Sequence, residues 1–255
     1  MAVDEALLTA AIDEGLAALR LYQWSEPTLS LGYFQRVDDR RCHAASRDCA
    51  VVRRSSGGGA ILHDRELTYS LAIPACHPLS RDAPQLYSLV HGAMAQLLAS
   101  RLLPDESSWT LQSHPASDPI SRRISRRSDE EPFLCFARRL PTDMLLVARH
   151  ATRETLESRE DWKILGSAQR RRGGAILQHG SLLLERSPAA PELPGWLDLT
   201  HMPLPLVQLV EEFPRRLSAQ IGAKLERSTL PVAVGAAACE IEQTKFKSQD
   251  WTRKR

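Results

Sequence analysis

The sequence predicts an α+β fold: a largely antiparallel, mixed β-sheet flanked by helices. Three observations predict it. Short, strand-like apolar segments crowd the centre of the chain. Helical periodicity lies before and after them, with one helix between. Brief turn signals separate successive strands, which favours hairpins over long crossovers.

The elements follow in order. Val3, Leu7, Ala11 and Leu16 recur at helical spacing and predict a helix over 3–18. "LRLYQW" (19–24) and "TLSLGYF" (28–34) read as strands joined by a turn at "SEP". Residues 36–49 are polar, with a short helix. "VVRR" (51–54) enters a glycine loop, "AILH" (60–63) leaves it, and "LTYSLAIP" (67–74) is the next strand. Leu86, Leu89, Val90, Ala93, Leu97 and Leu98 share one side of a helix over 83–103. Residues 105–131, rich in Ser, Pro, Arg and Asp, read as a partly disordered surface loop. "PFLCFA" (132–137) and "DMLLVA" (143–148) resume as strands, and 149–161 is charged with helical character. "KILGSAQRR" (163–171) and "GAILQHGSLLLE" (174–185) predict two strands around a glycine turn. Proline-rich 187–196 closes the strand region. Helices follow near 204–222 and 238–248, with Pro214 expected to kink or interrupt the first.

A chain of 255 residues can bury one sizeable core, so 1–255 reads as one domain with loop inserts at 105–131 and 149–161. A net charge of +2 is too small to argue for a nucleic-acid partner. The locally basic "RRISRR" and "WTRKR" read as solvated arginines or as a docking patch for an acidic protein. No run approaches the roughly 18 apolar residues that span a bilayer, so no membrane is expected. The acidic amphipathic N-terminus is not a secretory signal. Five cysteines without a CxxC argue against a disulfide framework or zinc site and for a reducing cytoplasm. Of 33 basic residues only 163, 224, 245, 247 and 254 are lysine. A lysine in such a chain is more often required as a lysine.

Gly57, Gly58 and Gly59 free the backbone for positive φ and close approach to a ligand. Their N–H groups could cradle an anion or a carbonyl. Neither nucleotide fingerprint fits, since no lysine follows and no helix opens here. A tight hairpin turn and a ligand cradle both remain open. His63-Asp64 reads as structural or as a loop-orienting pair, and His179 as a satisfied or loop-anchoring histidine. Cys135 reads as a small buried hydrophobe or as a nucleophile, which requires a neighbouring base or cation. Lys163, at the start of a strand, offers a compact ammonium suited to a single carbonyl or tetrahedral oxygen.

Taken together, "MAVDEALL" (1–8), "LRLYQWSEPTLSLGYFQ" (19–35), "RRSSGGGAILHDRELTYSLAIP" (53–74), "CF" (135–136), "KILGSAQRRRGGAILQHGSLLL" (163–184) and "KFKSQDWTRKR" (245–255) resemble the biotin/lipoate protein ligase catalytic-domain family, lipoate branch. The resemblance implies attachment of an octanoyl or lipoyl group to a carrier lysine, with an acyl tunnel beside the glycine loop and the "KILGSAQ" strand. "HDRELTYS" and Cys135 look like the cysteine-dependent octanoyltransferases. These take octanoate from acyl carrier protein and pass it to a lipoyl carrier domain, such as glycine cleavage H protein or a dehydrogenase E2. The residues implied are Cys135 as nucleophile and Lys163 as activating cation and oxyanion partner. Arg54, Gly57, Gly58, Gly59, His63, Gly166, Ser167 and Ala168 are the implied substrate-binding residues, with no metal and no cofactor. The alternatives are a lipoate ligase using ATP and Mg2+, and a lipoyl amidotransferase acting between carrier domains. A biotin ligase is disfavoured because "LRLYQW" and "ELTYS" look lipoate-like. Departures are "GGGA", which is ligase-like, and Thr142-Asp143 where relatives carry "YE". Residues 149–162 are longer than the usual short turn, and the sequence opens at the first helix where relatives carry a strand ahead of it.

Overall fold

The structure, a computed structural model, describes residues 1–100, 108–113, 132–140, 142–149 and 161–254. Helix α1 spans Ala2–Asp13 and ends short of the predicted 18, where Glu14 caps it and Gly15 turns with φ +70. The strands are β1 Ala18–Tyr22, β2 Thr28–Leu31, β3 Ala50–Arg53, β4 Ile61–His63, β5 Glu66–Ile73, β6 Trp109–Ser113, β7 Met144–Ala148, β8 Asp161–Arg172 and β9 Ala175–Leu183. The later helices are α2 Ala83–Ala99, α3 Trp196–Thr200, α4 Leu206–Ile221, α5 Val232–Ile241 and α6 Gln249–Thr252.

The strands divide into two sheets. An antiparallel sheet runs β1-β5-β9-β8-β7-β6, and a smaller sheet runs β3-β2-β4 with β2 parallel to β3 and antiparallel to β4. β1 and β2, though joined by a short turn, therefore belong to different sheets. Trp109–Ser113, expected to be loop, forms the edge strand β6 against β7. Among the described residues it pairs with β7 alone, and its polar Gln112 is exposed. The rest of that insert and of 149–161 lies outside the described residues, apart from Ser108, Arg149 and Asp161. "PFLCFA" is not a strand. It makes a single bridge, Ala60 to Leu134, and then curls into a 3-10 turn at Cys135–Ala137. The helix through Pro214 is continuous; the proline sits within α4 without ending it. The last predicted helix starts earlier, at Val232, and passes through a π turn at Glu242–Phe246 before α6.

Alternation along β5 organises the core. Leu67, Tyr69, Leu71 and Ile73 face α2 and α4, where Leu86, Val90, Met94, Phe213 and Leu217 meet them. The alternate residues face the other way, and Ser70 donates to Asp4 of α1 at 2.7 Å. α1 packs there with α5 over Ala72, Ala175 and Leu177. α2 starts where the Asp82 side chain accepts from Gln85 N at 2.9 Å, with Pro84 in the first turn. β8 and β9 join through the expected glycine turn: Gly173 and Gly174 take φ +55 and +78, as a two-residue hairpin connection favours.

Candidate active site

The glycine loop is neither a hairpin turn nor a simple cradle. β3 and β4 do not pair, because β2 lies between them, so residues 54–60 must cross the end of β2. The crossing is stitched by Arg54 N to Leu31 O at 2.8 Å and Tyr33 N to Ser56 O at 2.9 Å. It presses so closely that a Cβ on Gly32 would lie 1.9 Å from the Gly58 carbonyl oxygen. Gly58 takes φ +93 and is exposed, whereas Gly59 is buried.

Arg54 holds the loop from beneath. Its Nη1 donates to the Ser30 carbonyl and Oγ, each at 2.7 Å, and its Nη2 to the carbonyls of Gly59 at 2.7 Å and Gly57 at 3.2 Å. The guanidinium is 2 % exposed, and burial brings it down to about 10. Those donors are spent on the protein itself. His63 is equally enclosed. It meets Ser30 Oγ at 2.7 Å and Glu66 Oε1 at 2.7 Å, and stacks on Trp24 at 4.2 Å. Asp64 turns away and accepts from Ser187. His179 anchors the loop from the larger sheet, with Nε2 2.7 Å from Ser56 Oγ. Burial, then the Arg54 guanidinium, pushes this ring down to about 3, so it is neutral.

Cys135 reaches the far side of the same loop. Ala60, the residue after the glycines, donates to Phe133 O at 2.9 Å and accepts from Cys135 N at 2.7 Å. The thiol is half-buried. Lys163 Nζ lies 3.9 Å from its Sγ and 3.4 Å from its carbonyl oxygen. Lys163 is 3 % exposed and pairs with the buried Asp143 carboxylate at 2.9 Å. Asp143 in turn accepts from Leu140 N at 2.7 Å, which closes the turn between Cys135 and β7. A buried ammonium needs such a partner.

The path of the Lys163 side chain explains why residue 166 is glycine. A Cβ there would stand 2.4 Å from Lys163 Cε and 2.8 Å from Nζ. The lysine folds back over its own strand into the space a side chain would fill. Ala168 lies opposite His179 in the β8–β9 register, on the face that carries the glycine loop. Ser167 points to the opposite face, where Tyr69 and His91 each approach its Oγ at 2.5 Å.

The structure therefore brings Cys135, Lys163 and Gly166 together and sets Gly57–Gly59 beside them through Ala60. Arg54 and His63 lie under the loop, and Ser167 lies behind the strand. Sequence reasoning missed Asp143 as a site residue, along with Gly32, His91 and Tyr69. Asp143 carried a signal, the acidic residue at the departure from "YE"; the others had none locally. An open cleft of about 690 Å³, lined by Phe34, Gln35, Phe133 and Arg138, reaches Gly58 from outside. That falls within the usual range of about 300–1,000 Å³ for ligand pockets. Chemically, the arrangement is a partly accessible thiol beside a buried cation, at the rim of a backbone-rich loop.

The fold is that of the lipoate-attaching enzymes. A T. acidophilum protein described as a lipoate protein ligase, solved with lipoic acid bound, superposes with TM-score 0.64 at 16% identity, covering 100% of this chain and 95% of that one. Lipoate-protein ligase A bound with ATP gives TM-score 0.64 at 16% identity, over 99% and 94%. A sequence model of the lipoyl protein ligase A/B catalytic domain matches residues 1–104. It is similar to octanoyltransferase LipM of Brevibacillus brevis, 28% identical over 100% of this chain and 94% of that protein. It is also similar to octanoyltransferase LipM of Kyrpidia tusciae, 34% identical over 74% of this chain and 63% of that protein.

Proposed function

We propose that the protein is an octanoyltransferase of lipoate biosynthesis that works through a thioester on Cys135. The observation that carries the reading is the half-buried Cys135 thiol with the buried Lys163 ammonium 3.9 Å away. The naming of its relatives as octanoyltransferases supports it.

In the first step Cys135 thiolate attacks the octanoyl thioester of acyl carrier protein. Lys163 stabilises the thiolate and then the oxyanion. The carrier thiolate leaves and takes up a proton, and octanoyl-Cys135 remains. In the second step the neutral amine of a lysine on a lipoyl carrier domain, such as glycine cleavage H protein or a dehydrogenase E2, attacks the acyl-enzyme. An amide forms, the amine loses a proton, and Cys135 leaves as thiolate. One thioester replaces another before the amide forms, so the cycle runs without ATP, metal or other cofactor. The five cysteines are free, which suits work in a reducing cytoplasm. Residues 1–255 act in this reading as one catalytic domain.

The test offers the protein octanoyl-acyl carrier protein, lipoate with ATP and Mg2+, or a lipoylated carrier domain, each with an unmodified carrier domain. The expected result is transfer from the first donor only, with an octanoyl adduct on Cys135 by intact-protein mass spectrometry. Cys135→Ala should form no adduct and lose transfer by a factor of at least about 10³. Activity only with lipoate and ATP, or only between carrier domains, would replace the reading with the ligase or the amidotransferase.

A further inference from the structure

Behind the lysine strand lies a chain of hydrogen bonds that the thioester chemistry leaves unused. Gln169 Nε2 donates to the Ala83 carbonyl at 3.0 Å and to Gln178 Oε1 at 2.7 Å, which fixes the Gln178 amide. Gln178 Nε2 then donates to Tyr69 Oη at 2.8 Å. Tyr69 Oη meets Ser167 Oγ at 2.5 Å, Ser167 Oγ meets His91 Nε2 at 2.5 Å, and His91 Nδ1 meets the Thr142 carbonyl at 2.6 Å.

The direction of each link follows from what each group can do. A carbonyl oxygen only accepts, so His91 carries its proton on Nδ1. Nε2 of the uncharged ring is then an acceptor, filled by the Ser167 hydroxyl. Ser167 Oγ receives in turn from Tyr69, which receives from Gln178. Every member donates one way along the chain, from β9 through β5 and β8 to α2. Glycine makes the junction possible. A Cβ on Gly180, which is paired with both Tyr69 and Ser167, would stand 2.3 Å from Ser167 Oγ and 2.7 Å from the Tyr69 ring.

The chain ends on a strained residue. Thr142 has φ +77, a conformation that L-residues other than asparagine and aspartate seldom adopt. The next residue is Asp143, partner of Lys163. The groups that face His91 are Asp143 and Lys163 from the turn and β8, Tyr69 from β5, and Tyr87 one helical turn before it on α2, whose hydroxyl donates to the Ser167 carbonyl at 3.3 Å. Burial holds the ring below the ordinary histidine value and the Lys163 ammonium adds to this, against the Thr142 carbonyl and Asp143.

We propose that His91, protonated on Nδ1, is a positioning residue. Through Thr142 it sets Asp143, and through Asp143 it sets the Lys163 ammonium against Cys135. The inference rests on the reading of Cys135 and Lys163 as the reacting pair.

Three measurements test it. In the wild-type protein, the 15N resonances of His91 should show a protonated Nδ1 and an unprotonated Nε2 at pH 7; the opposite tautomer, or a charged ring, would overturn the proposal. His91→Leu should slow iodoacetamide alkylation of Cys135 and octanoyl loading together, by about 10² for a misplacement of order 1 Å, with KM for the carrier nearly unchanged. His91→Asn, whose amide can still donate to the Thr142 carbonyl, should restore most of both rates. Ser167→Ala removes one hydroxyl from the chain and should slow alkylation in the same direction by a smaller factor. If the Leu variant folds and alkylates at the wild-type rate, or if Asn rescues no better than Leu, His91 has no positioning role. Cys135→Ala separates the two readings: an octanoyl adduct that survives it sinks the nucleophile assignment and leaves the tautomer result standing.

Discussion

The compact ammonium of Lys163 is the residue on which the site is built, and its shape matters as much as its charge. It is buried, it reaches Cys135 and Asp143 together, and it occupies the volume left by the missing Cβ of Gly166. A planar guanidinium is longer and wider, so charge alone will not replace it. Lys163→Arg should lower octanoyl loading by about 10² or more, measured by single-turnover mass spectrometry. Near-wild-type loading by the arginine variant would show that the site reads charge only. Gly166→Ala should act through the same space. Its Cβ would displace Lys163, and loading should fall by at least about tenfold while the fold is retained. Lys163→Ala should also lower stability, by about 3–5 kcal/mol, because it strands the Asp143 carboxylate in the interior. At this scale the sequence was informative where chemistry is scarce. A single lysine ahead of residue 224 and a "CF" pair were visible. Asp143 was visible only as a departure from the "YE" of relatives.

 The reason is physical: a carboxylate becomes part of a site through its partner, and its partner is twenty positions away along the chain.

At the scale of elements, the glycine loop works because of what lies under it. Strand β2 ends at Leu31, and Gly32 then passes directly beneath the Gly58 carbonyl. Gly32→Ala would force these two backbones apart. It should cost about 1–3 kcal/mol in urea unfolding and speed amide exchange at residues 54–60 more than elsewhere. Uniform exchange across the chain would mean that the close approach does not restrain the loop. The loop is also held from the side by the C-terminal elements. Trp251 Nε1 donates to the Arg53 carbonyl at 2.9 Å, and Lys245 Nζ reaches Ser55 Oγ at 2.9 Å and the Glu5 carboxylate at 2.7 and 2.6 Å. Most strands were legible from their apolar alternation, and the β8–β9 hairpin from its paired glycines. The stretch around Cys135 was not. "PFLCFA" has a strand's composition, yet only Leu134 makes a bridge, because the chain must curl to bring Cys135 to Lys163.

For the whole molecule, the burial of His179 and His91 contributes to the response to acid. His179, which binds the loop to the larger sheet, falls from the ordinary 6.5 to about 3, chiefly through burial. Between those values the unfolded chain binds a proton that the native protein does not. Stability therefore rises with pH across that window and is lost as pH falls from about 6.5 toward 3. His91, also lowered by burial, adds in the same direction. Urea midpoints should drop on going from pH 7 to pH 4.5, and His179→Gln should flatten that slope. An unchanged slope in the variant would assign the acid response to other groups.

The sequence by itself determined the class of fold, the order of most elements, the loop, the cysteine and the lysine, because each leaves a local mark in periodicity, composition or motif. The tertiary structure alone decided that two sheets form instead of one, that the loop crosses β2, and that Arg54 and His63 support it from below. It also decided that Asp143 completes the Cys135–Lys163 pair and that Ser167 serves His91 behind the strand. These facts depend on which residues meet across long stretches of chain, and on the few atoms of free volume left at Gly32, Gly166 and Gly180. Local sequence encodes preference; contact and space arise only when the chain has closed on itself.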